Sequence, residues 1–419
     1  MSTQVQALAQ AAQQAMQQGR AAEAEALWRQ VQAQQPQHPQ ALHALGLQAH
    51  RRGAGAEALQ LLRQAQQAAP REPMLLLSLA MVLRDLGDAD GEVAALDQAL
   101  VIDPYCLPAL LARAAHIERA HGARAAAPEF RNALKIAPPE AQWPPALRGL
   151  LEHGRRLVDQ VGRELAAFLE DRMGAGMARL TPFEAERWRE AGALVAGRST
   201  PYPAVPNRLL VPRLPAIPFF ERSLFPWATE LEAQTAAIRE EMLAVHAQQN
   251  AEFKPYVAYP PGTPVNQWQA LNHSQRWSSY FLWRNGAPLE AHQQACPRTS
   301  AALAAIEMAE IGGLCPNAMF SALSPHTHIP PHHGETNARL VVHLPLVVPD
   351  NCLYRVGFEQ RRWREGELLF FDDSIEHEAR NDSDHLRVVL IFDVWNPLLS
   401  PAEREMVRVL SQATRDFHA

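Results

Sequence analysis

Two stretches toward the C-terminal end hold the residues best suited to chemistry: HIPPHHGETNARLVVH, residues 328–343, and FFDDSIEHEARNDSDHLR, residues 370–387. His332 lies in the first and His377 in the second, 45 residues apart, and Arg387 follows ten residues later. Two imidazoles held close by strands make half of a non-haem iron site. Such sites ordinarily add one Asp or Glu and leave positions open for substrate and dioxygen. The carboxylate often sits two residues after the first histidine, and here that residue is Gly334, which cannot ligate. The pair therefore reads as a metal site with an unusually open position, or as two ordinary histidines.

The neighbouring residues favour the metal. Asp372 and Asp373 precede His377 and could supply a third ligand, but holding an imidazole N–H is the preferred role for them. In LRVVLIFDVW, residues 386–395, Arg387, Val389, Ile391 and Asp393 share one face and Val388, Leu390 and Phe392 the other. Both faces are apolar, which predicts a buried strand. A guanidinium there needs an anion, and a dicarboxylate co-substrate would provide one through a bidentate contact. Arg339 and His343 fall on one face of ARLVVHLPLVV with Val341 between them, the pattern of a lined pocket. Ser321, in FSAL, adds a hydroxyl. His326, His328 and His333 crowd the same region and receive no role.

The elements that must position these residues are strands. FSAL (320–323), ARLVVHLPLVV (338–348), CLYRVGF (352–358), ELLFF (367–371) and LRVVLIFDVW (386–395) are separated by turn signals and suggest a double-sheet jelly roll. In that architecture consecutive strands cross between sheets, so His332 and His377 can meet at one mouth. RWSSYFLWRNG, residues 276–286, predicts another strand, ending on Asn285-Gly286. ATELEAQTAAIREEMLAV, residues 228–245, predicts an amphipathic helix, and residues 201–220, with six prolines, an extended segment. A last helix is expected over 401–413, with Ser400 as N-cap and Pro401 in its first turn.

The N-terminal third repeats. Pro36, Pro70, Pro104 and Pro138 are 34 residues apart; Gly19, Gly53 and Gly87 keep that period and Gly122 slips by one. Trp28, Leu62, Leu96 and Phe130 form a large apolar row; Val31, Ala65, Ala99 and Ala133 form a small one. A helix pair with a glycine turn inside and a proline at its exit explains the pattern, which resembles tetratricopeptide repeats. Such arrays offer a concave face to peptides and do no chemistry. Residues 141–200 continue as helix with apolar residues three and four apart.

The bulk numbers agree. Net charge is −6, with a pI near 6.3, so no basic field draws the chain to nucleic acid or anionic lipid. No apolar run is long enough to span a membrane, and the first residues lack the pattern of a secretion signal. Four scattered cysteines argue against a disulfide framework and for a cytoplasmic home.

With these residues in place, a resemblance is plain. WSSYFLW, FSALSPHTHIPPHHGETNARLVVHLPLVVP, WREGELLFFDDSIEHE and LRVVLIFDVWNPLLSP, within residues 276–400, resemble the aspartyl/asparaginyl β-hydroxylase family of Fe(II)/2-oxoglutarate oxygenases. The resemblance implies that His332 and His377 are iron ligands and that Gly334 is the glycine standing in for the carboxylate. It implies that Arg387 and Ser321 hold the distal carboxylate of 2-oxoglutarate, that His343 lies near its oxalyl end, and that Arg339 belongs to the substrate-side pocket. One departure stands out: where the protein hydroxylases have a second basic residue, this chain has Val341.

The implied layout is a tetratricopeptide-repeat solenoid (1–140), a helical connector (141–200) and a double-stranded β-helix, or jelly-roll, oxygenase domain (201–419). The implied activity uses Fe(II), 2-oxoglutarate and dioxygen to hydroxylate a side chain of a peptide or protein engaged by the repeats, an Asp or Asn β-carbon being the candidate. Succinate and carbon dioxide are released. The alternatives are a small-molecule or lipid acyl-chain hydroxylase of the same family, or an inactive repeat-based binding protein.

Overall fold

The 34-residue rows become the seams of a helical stack. The computed structural model describes residues 3–418. Its first helices are α1 (Thr3–Gln17), α2 (Ala21–Gln34), α3 (Pro39–Arg51), α4 (Gly55–Ala68), α5 (Pro73–Asp85), α6 (Ala89–Ile102), α7 (Leu107–His121) and α8 (Ala123–Ile136). Gly19, Gly53, Gly87 and Gly122 sit at the turn inside each pair, all with φ between +73° and +83°, a region that costs other residues energy. Helices α2, α4, α6 and α8 each stop two residues short of the periodic proline. Every member of the two apolar rows is buried. Helix α9 (Pro145–Met177) follows, then α10 (Pro182–Val195), so the helical texture of 141–200 is interrupted once.

Two compact units result. One runs through Ala178 and takes in Val195–Arg198; the other holds Arg179–Leu194 and the chain from Ser199 on. Among the described residues no helix is long and apolar enough to cross a membrane.

The second unit is built on antiparallel strands: β1 (Phe219–Phe220), β2 (Lys254–Pro255), β3 (Trp277–Arg284), β4 (Ala287–Pro288), β5 (Ala318–Leu323), β6 (Thr327–His332), β7 (Arg339–Val347), β8 (Cys352–Val356), β9 (Glu359–Arg361), β10 (Leu369–Phe371), β11 (His377–Asn381) and β12 (Arg387–Trp395). The larger sheet has the order β1-β10-β7-β12-β5-β3-β2, with β4 beside β3; the smaller has β6-β11-β8-β9. This double-sheet arrangement is compatible with the expected jelly roll. Alternation sorts the larger sheet's side chains. Val342, Leu344, Leu390 and Phe392 pack on one face with the helices α11 (Ala228–Glu232) and α12 (Thr235–Gln248), while Val341 and Val389 join β8, β10 and β11 on the other. The helix expected over 228–245 is thus two helices. Short helices α13 (Glu290–Ala295) and α14 (Pro297–Ala304) precede β5. The last, α15 (Pro401–His418), outruns its expected end, and Ser400 and Glu403 form a reciprocal cap at its start.

Within this unit α10 lies along the sheet edge, where Glu190 and Glu186 share a groove with Glu359 and Phe219. Burial, with Glu359 and Glu186 adding to it, pushes the Glu190 carboxyl up to about 7. The folded chain therefore binds this proton more tightly than the unfolded chain does. Its contribution to stability is full below about 4.5 and is lost as pH rises through 7. Urea unfolding across this range is expected to show that decline, and Glu190→Gln to flatten it.

Candidate active site

A cavity of about 440 Å³ opens between the two sheets. Ser321, His332, Gly334, Arg339, Val341, His343, Asp373, His377 and Arg387 all line it. Of the residues singled out in the sequence, His333 also lines it, while Asp372, His326 and His328 do not. The larger sheet supplies Ser321 from β5, Arg339 and His343 from β7, and Arg387 from β12. The smaller sheet supplies the two histidines.

His332 and His377 meet as direct register partners on adjacent strands, β6 and β11, and not by strands crossing between sheets. Strand β6 contains Pro330 and Pro331, which obscured it in the sequence. It is an edge strand, where a missing N–H costs little. The two rings lie 4.0 Å apart, centroid to centroid. In each, Nδ1 faces a backbone carbonyl two residues earlier: Pro330 at 2.7 Å for His332 and Ile375 at 3.0 Å for His377. A carbonyl only accepts, so Nδ1 carries the proton and Nε2 presents a lone pair. Burial pushes the His332 imidazole down to about 3 and that of His377 down to about 4, so both rings are neutral. Two neutral imidazoles, oriented by carbonyls and offering Nε2, are what a first-row divalent metal requires.

His343 has the opposite tautomer. Trp363 Nε1–H donates to its Nδ1 at 3.1 Å, so the neutral ring keeps its proton on Nε2. Burial and the Arg387 charge hold this imidazole well below its ordinary pKa. His343 is therefore built as a neutral donor and not as a ligand.

The two arginines differ as sharply. Arg339 stands between two carboxylates, with Nη1 2.9 Å from Asp373 and Nε 3.2 Å from Asp393. Both are ion-pair distances without hydrogen-bond alignment. Burial opposes its charge, but the two acids outweigh burial and raise its pKa well above the usual value. Arg387 is 1% exposed, and among the described residues it has no carboxylate partner. Nη1 reaches only the Ser321 carbonyl at 3.3 Å, Nε is unsatisfied, and the guanidinium lies over the Trp363 ring at 4.6 Å. Burial pulls its pKa down to about 10, so it remains a cation. Beside it, Ser321 Oγ accepts from Trp277 Nε1 at 3.1 Å, which leaves the hydroxyl proton free to donate.

Gly334 is explained by packing. A Cβ there would lie 1.9 Å from Asp373 Oδ2 and 2.1 Å from its Cγ. The Asp373 carboxylate already fills the space a side chain at 334 would need. The Gly334 N–H donates to the Asp373 carbonyl at 2.6 Å, and its own carbonyl accepts from the Asn207 N–H at 2.8 Å. The proline-rich segment thus braces the glycine from behind. Asp372 turns away and caps its own turn through the Ser374 N–H; burial raises its pKa to about 6. His326 and His328 pair with Asp384 and Glu378. Among the described residues no cluster of three or more His, Cys, Asp or Glu is placed to share a metal ion.

Sequence reasoning missed the aromatic frame: Trp363 under Arg387, Trp277 on Ser321, and Trp268, whose ring lies 5.0 Å from that of His332. No spacing rule marks these, because they come from loops and from a different strand.

Known proteins resemble the part of the chain that carries the double sheet and this cavity. Residues 232–397 match the family described as Aspartyl/Asparaginyl beta-hydroxylase, and this region is what the chain shares with that family. It is 39% identical over 188 residues to an ornithine lipid ester-linked acyl 2-hydroxylase of Rhizobium tropici, covering 44% of this chain and 63% of that one. It is 33% identical over 239 residues to the aspartyl/asparaginyl beta-hydroxylase of Mus musculus, covering 55% and 30%. An aspartate beta-hydroxylase domain-containing protein 2 of Xenopus tropicalis is 33% identical over 222 residues, covering 52% and 57%. The chain thus spans less than two thirds of each of these relatives.

Proposed function

We propose that this protein is an Fe(II)- and 2-oxoglutarate-dependent hydroxylase. The observation that carries the reading is a single cavity holding two Nε2 lone pairs and a buried guanidinium with no carboxylate partner among the described residues. His332 and His377 would hold the iron. Arg387 and the Ser321 hydroxyl would take the distal carboxylate of 2-oxoglutarate, and His343 Nε2–H would donate toward its oxalyl end. Iron, when bound, supplies the activation of dioxygen: one oxygen atom ends in succinate, the other in the hydroxylated product, and carbon dioxide leaves.

The chain's own residues orient and exclude. The Pro330 and Ile375 carbonyls fix the ring planes of the two ligands. Gly334 leaves the ligand side without a carboxylate of its own, and Asp373, held by Arg339, stands beside it as an acceptor. Val341, Ile391 and Phe371 give the cavity an apolar stretch of wall that would help exclude water. We assign the helical repeats to a polypeptide partner, since stacked helix pairs present such faces.

Purified protein with Fe(II) and 2-oxoglutarate is expected to form succinate, and His332→Ala to form none. Equal succinate from both would sink the reading. Trp363→Phe deletes the donor to His343 Nδ1 and frees the other tautomer. Its affinity for 2-oxoglutarate, read by calorimetry, is expected to fall about ten-fold, matching the loss of one buried hydrogen bond.

A further inference from the structure

The repeats place their charge unevenly. In the first three pairs the second helix is charged, with Glu25 and Arg29 in α2, Glu57 and Arg63 in α4, and Asp90 and Asp97 in α6. The first helices are not. Helix α1 has no charged side chain, α3 has Arg51 and two histidines, and α5 has Arg84 and Asp85. Arg51 and Asp85 are the last residues of their helices, and Arg84 and Asp85 pair with each other at 2.9 Å. Helix α7 is charged again, with Arg113, Glu118 and Arg119, so the uncharged stretch ends at α5.

Helices α1, α3 and α5 lie side by side. Gln13 Nε2 donates to Gln40 Oε1 at 3.4 Å, His43 Nε2 and Ser78 Oγ are 2.8 Å apart, and His50 Nε2 lies 3.1 Å from Asp85. Steps of three and four residues put Gln40, His43, Leu47 and His50 on one face of α3. One repeat later Met74 and Met81 take the places of Gln40 and Leu47, and one repeat earlier Gln13 takes that of Leu47. Gln13, Gln40 and Met74 are exposed, and Leu47 and Met81 are partly so. Burial holds the His43 imidazole below its ordinary pKa, so it adds no charge. The outer face of a helix ordinarily carries charged residues. This one instead offers amides, which both donate and accept, and Met and Leu, with methionine able to adapt to many apolar shapes. A charged segment laid across it would lose water and gain no opposite charge. An uncharged segment escapes that cost, and its main-chain N–H and C=O groups match the glutamine amides.

We infer that the shared face of α1, α3 and α5 takes an extended polypeptide segment that is apolar and uncharged. This rests on the assignment of the repeats to a polypeptide partner and names the chemistry of that partner.

The test titrates the full chain, by calorimetry, with three sets of capped peptides of about ten residues, long enough when extended to cross three helices. One set mixes Leu, Met and Ser; the other two replace each Ser by Glu or by Lys. The neutral set is expected to bind at least about ten-fold more tightly than either charged set, with less than about a two-fold change between low and high salt. Met81→Glu is expected to weaken the neutral set at least about ten-fold. Met74→Glu, at an exposed position, gives the same readout if the first variant fails to fold. Tighter binding of a charged set, a steep salt dependence, or unchanged binding by both variants would overturn the inference. Self-association of the full chain, or binding to phosphatidylcholine vesicles, that is lost in Met74→Glu would give the face to another occupant and overturn it too. The parent reading fails separately: binding of none of the three sets defeats the polypeptide assignment itself, whereas a charged set that binds best defeats the inference and leaves that assignment standing.

Discussion

Arg387→Met is expected to weaken 2-oxoglutarate binding severely while leaving the metal-free protein at least as stable as the wild type. Under the proposed function the two effects have opposite signs, because the guanidinium then serves a ligand and not the fold. In the absence of an anion it sits in the cavity with an unsatisfied Nε and one long contact to a carbonyl. Burying an ion without a partner costs several kcal/mol. The Trp363 face returns about 2 kcal/mol, and the carbonyl contact about 1.5 kcal/mol. Burial therefore wins, and an isosteric apolar side chain is expected to gain about 1–2 kcal/mol in thermal unfolding. Removing one partner of a buried charge pair typically costs 2–5 kcal/mol of binding, so affinity for 2-oxoglutarate is expected to fall roughly 10²-fold or more. Calorimetry of binding and of unfolding on one preparation checks both signs. A variant that loses stability and binding together would make Arg387 a structural residue.

Gly334→Ala is expected to do nearly as much damage as Gly334→Asp. The first added carbon already falls within 2.1 Å of two Asp373 side-chain atoms. The Asp373 carboxylate must then leave, and Arg339 loses one of its two acids. Breaking such a buried pair costs about 3–5 kcal/mol. Asp373→Ala alone pays the same pair, but in its background Gly334→Ala is expected to cost little further. The resulting coupling of about 2 kcal/mol or more would show in a double-mutant cycle by urea unfolding. Additive losses would mean that the two residues do not compete for space. The cycle also shows why a carboxylate at 334 would not complete an ordinary iron triad in this chain: the room is taken.

Much of this was readable from the residues. The 34-residue rows named the buried seams of the repeats, since a period imposed by one helix pair must place equivalent side chains in equivalent seams. Alternation along β7 and β12 correctly separated the cavity face from the helix-covered face, because a strand's period of two leaves no other choice. What escaped were relations between strands. Nothing local shows that His332 and His377 are register partners, and two prolines hid β6. Which nitrogen of each imidazole holds the proton depends on Pro330, Ile375 and Trp363, partners that only the folded chain brings into contact. The contrast between Arg339 and Arg387 was equally hidden: both are strand arginines in sequence, and only packing gives one of them two acids and the other none.

The most direct measurement is a paired titration of metal-free protein with Mn(II) and then 2-oxoglutarate, on the wild type, His332→Ala, His377→Ala and Arg387→Met. One Mn(II) per chain is expected in the wild type, with 2-oxoglutarate binding that depends on it. Neither histidine variant is expected to hold metal, and Arg387→Met is expected to keep the metal and lose the co-substrate. Stoichiometric Mn(II) on both histidine variants, or tight 2-oxoglutarate binding to Arg387→Met, would contradict the site proposed for this fold.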